Sequence, residues 1–425
     1  MCSQSQEGLQ LPYVTCVFLS LSRYEEGTVG MPYPHVIIVG AGLGGLCLAQ
    51  GLRRRGIDFC VYERDASLMS RGQGYRIHID THGDDSLTDA LPPELYQLFR
   101  ATAGVPLSRT PVFDEQLRQL AELEGDGGTH LAVDRLTLRQ ILLTGVADAV
   151  AFGKRFTHYR VGSDGGPVAC FDDGTEVRGD VIVAADGVNS PVRRQYLPHA
   201  RVVDTGLRQL YGKVLLTKET RALFPPEMFA VFTPVIGPAK QFIGVAPVEF
   251  PEPPRLAARR LAPTAALNDT ADYMTVTFGS RRELLPYGDA QLQAMTGAEL
   301  RSATLRLIEP WHPDVRRIIE HWLPESVFPL TLRTSVPIPA WRPTPVTLLG
   351  DAIHAMSPAG GIGANTALRD AGILAAALEQ AADGRPLVET IAAYESAMTG
   401  YGFDAVRLSA DNGQRMLGQD PLPTS

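Results

Sequence analysis

The residue types most open to chemistry in the first part of this chain are four glycines and an acid. They stand as Gly40-Ala41-Gly42-Leu43-Gly44-Gly45, followed by Glu63 and Arg64. That spacing suits the phosphate-bearing half of a dinucleotide. Gly40 allows a tight turn, Gly42 lets the backbone approach a pyrophosphate, and Gly45 lets a helix pack on the preceding strand. The helix N-terminus offers unpaired N–H groups and partial positive charge to phosphate. Glu63 closes the next strand, where its carboxylate can accept hydrogen bonds from ribose hydroxyls. Taken alone, this unit fits NAD, NADP or FAD.

The elements that must position these residues are legible around them. The apolar run His35–Val39 reads as a buried strand, Leu46, Ala49 and Leu52 as the stripe of a helix, and Ile57–Tyr62 as a second strand. A further helix is expected over about 134–150, with Asp134 as N-cap and Leu138, Ile141, Leu142 and Val146 buried. It puts Arg135 in the first turn, where a cation is mildly disfavoured unless it reaches an anionic or polar cofactor group. Strand Val181–Ala185 delivers Asp186-Gly187, and Ser190 caps a helix begun by Pro191. A third strand, at Val346–Leu349, delivers Gly350-Asp351-Ala352-Ile353-His354. A Pro and Gly-rich loop, Pro358 to Asn365, then feeds a long helix stopping near Gly384.

Between about 201 and 332 the pattern changes to strand-like runs at Leu210–Leu216, Met228–Ile236, Gln241–Val248 and Met274–Phe278. This predicts an antiparallel sheet with one packed face, inserted between parts of the nucleotide domain. The expected fold is therefore α/β: a Rossmann-like domain from 31–200 plus 333–385, a sheet domain at 201–332 for the substrate, and a C-terminal helical tail at 386–425 that ends loosely. Residues 1–30 read as a disordered extension.

Composition bounds the rest. A chain of 425 residues can bury two domain cores. A net charge of −8 argues against an electrostatic nucleic-acid binder, and no apolar run approaches the roughly 18 residues that span a bilayer. Cys2, Cys16, Cys47, Cys60 and Cys170 show no paired spacing, which suits reduced thiols and a cytoplasmic location. His78, Asp80 and His82 sit at alternate strand positions and read as a hydrogen-bonded face, so no metal is expected.

The three segments Gly40–Gly45, Ala185–Arg193 and Gly350–Asn365, in that order, resemble the motifs of the single-component (class A), FAD-dependent aromatic-hydroxylase-type monooxygenases. The resemblance spans about 34–385, with a layout similar to the small tetracycline-inactivating members. It implies FAD as cofactor, NAD(P)H as co-substrate and O₂, with one oxygen atom inserted into an aromatic or polycyclic, polyketide-like molecule through a flavin C4a-hydroperoxide. Gly40, Gly42, Leu43, Gly44, Gly45, Glu63 and Arg64 then become the adenosine-side set. The resemblance puts Asp186 and Gly187 near the pyrophosphate, Asp351 on the ribityl chain and Arg135 beside the flavin. Pro358, Gly360, Gly361, Gly363 and Asn365 would lie against the isoalloxazine, and the following helix would point its positive end at the flavin N1–C2=O edge. Ile362 departs from the pattern, since many members have Gln there. His354 reads as part of the turn. A Baeyer–Villiger outcome on the same flavin, or FAD and drug binding without catalysis, stays open. A halogenase does not fit, because Trp311, Trp322 and Trp341 are never two apart.

Overall fold

The computed structural model describes residues 34–70, 74–125 and 127–423. The extension read at 1–30 and the loop residues 71–73 lie outside them. Strand Val36–Val39 sits at the centre of a five-stranded parallel sheet, between Val181–Ala184 and Phe59–Glu63; Val346–Leu348 and Val150–Phe152 form the edges. Its four β-branched residues are at most 4% exposed, as a strand covered on both faces requires. The register pairs Val39 with both Ala184 and Tyr62, and Ala184 with Leu348, so the strands end together. Gly40, Glu63, Asp186 and Asp351 follow at that carboxyl edge, where open α/β sheets bind ligands.

Helix Leu43–Arg54 packs on this sheet and on the long helix Gly363–Ala382; a Cβ built on its Gly51 would come within 3.0 Å of Ala375 Cβ. The helix expected over 134–150 is shorter, Arg135–Leu143. Gly145, at φ +82°, turns the chain into a 3-10 turn and the edge strand Val150–Phe152. Asp80, expected at the end of a strand, instead caps the helix Thr81–Ala90 by accepting from the Gly83 N–H at 3.0 Å.

The second large sheet has seven strands, in the order Phe328–Ser335, Val202–Leu215, Tyr273–Arg281, Phe242–Val248, Thr233–Ile236, Arg109–Asp114, Gln119–Glu124. It is wider than the expected 201–332 segment. The hairpin at 109–124 comes from the stretch read as nucleotide domain and joins by parallel pairing of Val235 with Phe113. One face, including Leu210, Val214, Val245, Val276 and Phe278, packs with Trp311, Trp322 and the helices Gly297–Leu307 and Pro313–Glu320. The opposite face meets the nucleotide-binding side, where the Tyr273 hydroxyl donates to Asp134 at 2.9 Å.

The chain ends with the 31-residue helix Leu387–Leu417, which buries Tyr394, Met398 and Phe403. The segment after it is anchored, not loose: the Asp420 N–H donates to the Thr205 carbonyl, and its carboxylate pairs with Arg281. Among the described residues no helix is long and apolar enough to cross a membrane, and Cys47 and Cys170 are buried thiols outside any disulfide.

Candidate active site

At the carboxyl edge of the parallel sheet lies a cavity of about 490 Å³. It brings together Gly40, Gly42, Glu63, Arg64, Arg135, Asp186, Gly187 and Asp351 from five separate stretches of chain. Gly40 takes φ +111°, and a Cβ there would sit 2.4 Å from the Ala185 carbonyl oxygen. At Gly42 an added Cβ would meet only that oxygen, at 3.9 Å, so this backbone stands open to the cavity. Gly44 and Gly45 do not line it. Their added Cβ atoms would strike Leu349 at 2.6 Å and the Gly40 carbonyl oxygen at 2.1 Å, so both let the helix pack closely. Leu43 is buried beside them.

Two charged side chains hold the glycine turn from opposite sides. Glu63 accepts the Ala41 N–H through Oε2 at 2.9 Å and the Asp65 N–H through Oε1 at 2.9 Å. Arg139, missed in the sequence, donates from Nε and Nη2 to the Ala41 carbonyl at 3.2 and 2.8 Å and is 3% exposed. Burial, with the positive Arg135 nearby, lowers its guanidinium to about 10. Its signal was the four-residue spacing from Arg135, which puts both on one helix face.

Asp186 and Asp351 reach the cavity from neighbouring strand ends. Burial pushes the Asp186 carboxyl up to about 6, against weaker hydrogen bonding from Ser190 and Val192. Its Oδ1 is buried without a hydrogen-bond partner. Asp351 opens its surface to the cavity, yet the protein packed around it raises its carboxyl above the usual range, with His354 opposing. Arg193 joins the two motifs, donating to the Ala352 carbonyl at 2.8 Å and the Val188 carbonyl at 2.9 Å. Behind Asp351, His354 Nε2 meets Asp370 Oδ2 at 2.6 Å. Asp370 also accepts the Gly350 N–H at 2.7 Å and the Tyr401 hydroxyl at 2.6 Å, which ties the Gly350-Asp351 turn to the long helix. Burial would lower the His354 imidazole, but the Asp370 carboxylate raises it overall.

Pro358, Gly360, Gly361, Gly363 and Asn365 are not among the residues lining that cavity. They form a 3-10 turn, a left-handed Gly361 at φ +65° and the start of the long helix. Asn365 fixes them to the Arg76–Ile79 strand: its amide donates to the His78 carbonyl at 3.0 Å and accepts the Asp80 N–H at 3.1 Å. Ala359 packs with Leu330 and Phe242 of the seven-stranded sheet. His78 stacks on His130, with Nε2 and Nδ1 3.0 Å apart.

These features fit a dinucleotide flavin cofactor. The helix that begins at the cavity, Leu43–Arg54, lacks a side-chain cap and an acid in its first turn, so its leading N–H groups are free to meet an anion there. The Asp186 oxygen awaits a donor, and Gly42 leaves room for phosphate. The sheet and its crevice thus define an FAD-binding α/β protein. Consistently, residues 325–409 match the FAD binding domain family and 38–85 the NAD(P)-binding Rossmann-like domain family.

A crystal structure from Photorhabdus luminescens subsp. laumondii TTO1, described as an FAD-containing monooxygenase, superposes with a TM-score of 0.78 at 32% identity, covering 90% of this chain and 98% of the other. The dual O-methyltransferase/FAD-dependent monooxygenase CTB3 of Cercospora beticola is 34% identical over 91% of this chain and 47% of its own length. The chain therefore spans about half the length of such curated relatives. The 6-hydroxynicotinate 3-monooxygenase of Pseudomonas fluorescens is 27% identical over 91% of this chain and 93% of its own. This chain belongs to the FAD-dependent monooxygenases, a family of oxidoreductases.

Proposed function

We propose that the protein is an NAD(P)H- and O₂-using monooxygenase that inserts one oxygen atom into an aromatic or polycyclic small molecule. The observation that supports this best is the convergence of Gly42, Asp186 and Asp351 on one cavity at the carboxyl edge of the parallel sheet. FAD, once reduced by NAD(P)H, supplies the chemistry of O₂ activation. The name of the 6-hydroxynicotinate relative supports an aromatic substrate.

In this reading the adenosine and pyrophosphate lie along Glu63, Gly42 and Gly187, and Asp351 accepts from the ribityl hydroxyls. Pro358 to Asn365 border the isoalloxazine, and the N-terminus of helix Gly363–Ala382 offsets negative charge there. Arg135 adds a cation at the same cavity. Phe242, Leu330 and Ala359 belong to one apolar cluster beside that loop, which in this reading helps to keep water from the reacting centre. The 31–200 segment apart from its 109–124 hairpin, together with 333–385, carries the cofactor, and the seven-stranded sheet that the hairpin joins carries the substrate.

The test is substrate-stimulated NAD(P)H consumption by the purified, yellow protein across an aromatic panel, with product analysis under labelled dioxygen. One labelled oxygen atom in the product is expected. A flavin-loaded protein that consumes no more NAD(P)H with any arene than without would count for a binding protein instead.

A further inference from the structure

A second cavity, of about 330 Å³, opens where four helices converge, and it shares no lining residue with the cavity at the sheet edge. It lies between helix Leu43–Arg54, the turn after Arg135–Leu143, the start of helix Pro93–Thr102 and the segment that follows helix Pro254–Leu261. The protein ties these walls in place by itself. Arg54 donates to the Asp89 and Leu91 carbonyls at 2.9 and 3.1 Å, which fixes the entry to helix Pro93–Thr102. The Asn268 N–H donates to Gln140 Oε1 at 3.2 Å, which holds the chain beyond helix Pro254–Leu261 against Arg135–Leu143.

Gln50 lines this cavity and is only 2% exposed. Its Nε2 gives both protons to the Leu142 and Thr144 carbonyls, each at 2.8 Å, and so closes the end of the neighbouring helix. Its Oε1 takes part in neither bond. Among the described residues that oxygen has no donor, and it is not one of the polar atoms sealed from solvent. The little surface that Gln50 keeps therefore includes Oε1, turned to the cavity.

An amide whose two protons are engaged can only accept, so whatever meets Oε1 must bring a donor. The charges around the cavity set the kind of donor. Arg53 is already committed: it pairs with Asp148 at 2.8 Å and lies over the Phe59 ring, 5.4 Å from the centroid. Glu94 is exposed and contributes a carboxylate. A neutral acceptor and a carboxylate on one cavity match a cationic N–H donor. Pro92, Leu95, Leu261 and Ala262 line the same space and suit a hydrocarbon body. The volume is at the small end for ligand pockets, which sets the size of the molecule.

We infer that this cavity is a second ligand site, one that takes a compact primary amine as its ammonium ion. Its N–H donors meet Gln50 Oε1 and the Glu94 carboxylate, and its hydrocarbon lies against Leu95 and Leu261. The site is independent of the oxygenation chemistry read at the sheet edge.

The test uses FAD-loaded full-length protein and three probes of one shape at neutral pH: cyclohexylammonium, cyclohexanol and cyclohexanecarboxylate. None is an arene, so the reading of the flavin site is not engaged. Calorimetric titration gives affinities, and a crystal grown with cyclohexylammonium gives the position. The ammonium ion should bind about 10- to 100-fold tighter than the alcohol, the range for a hydrogen bond to a charged group, with the carboxylate weakest and the flavin absorbance unchanged. Glu94→Gln and Gln50→Met should each remove most of that preference. Should Gln50→Met fail to fold, Glu94→Gln, at an exposed position, and the crystal decide. Equal binding of ammonium and alcohol overturns the inference, as does failure of the ammonium ion to bind. A shift in flavin absorbance, or a probe located elsewhere in the crystal, does so too. A general attraction of cations to this acidic chain would survive both variants, and an unchanged preference in them is equally fatal.

Discussion

Asp186→Asn should change how the stability of the FAD-free protein depends on pH. The folded chain binds the Asp186 proton more tightly than the unfolded chain does, because burial raises the carboxyl from 3.8 to about 6. Such a group adds stability that is fully present below about pH 4 and is lost as pH rises through about 6. The gap corresponds to about 3 kcal/mol, trimmed toward about 2 by water in the open cavity. Asparagine has no proton to lose there, so the variant should be the more stable protein at pH 8 by about 2–3 kcal/mol, and near parity at pH 4. Glu395, pushed up to about 7 by burial, tilts both proteins the same way and cancels in the difference. Urea unfolding of both FAD-free proteins across that range is the assay, followed by circular dichroism. A stability difference that stays constant with pH would refute the argument, since it would mean that the carboxyl is solvated and ordinary.

Four other substitutions probe the turn and its supports. Gly45→Ala places a Cβ 2.1 Å from the Gly40 carbonyl oxygen and 3.1 Å from Ala185 Cβ, so the helix must shift; a loss of about 3 kcal/mol or more in thermal unfolding is expected. Gly42→Ala has its nearest neighbour at 3.9 Å and should leave the FAD-free melting temperature nearly unchanged while lowering flavin occupancy; normal flavin content would place the phosphates elsewhere. Arg139→Leu strands the Ala41 carbonyl and should cost about 1–3 kcal/mol of stability, seen in denaturant titration, with weaker FAD retention. Asp370→Asn removes the charge facing His354 and should cost about 3–5 kcal/mol, measured the same way at pH 6; an unperturbed midpoint would mean that the pair does not hold the turn.

The cofactor half of this molecule was legible because its information is local. A strand, four glycines and an acid lie within thirty-odd positions, and each glycine answers to a nearby atom, as Gly45 does to the Gly40 carbonyl. The α/β class followed from such units. What escaped were interactions set by distant pairing. Arg139 sits in a helix between Leu138 and Ile141, and nothing in that sequence says its guanidinium finds Ala41. The hairpin at 109–124 joins the second sheet through a parallel contact with Val235, more than a hundred residues on. Asp80 continued an alternating strand pattern, and its capping role depended on the Gly83 N–H that turned back toward it.

The substrate side shows the same division more sharply. Asp134 and Arg76 are ladder partners of opposite charge, and a sequence pattern would pair them. The structure does not, because the strand Tyr273–Arg281 brings a phenol to Asp134, and Val202–Leu215 brings a lysine. Once those two have taken the carboxylate, the arginine keeps two buried donors with no hydrogen-bond partner among the described residues. An unpaired cation is costly in a protein interior, and hydrophobic replacement would relieve the cost. Which charges meet inside this protein is thus decided by the strands that the topology brings alongside, not by the ladder partner.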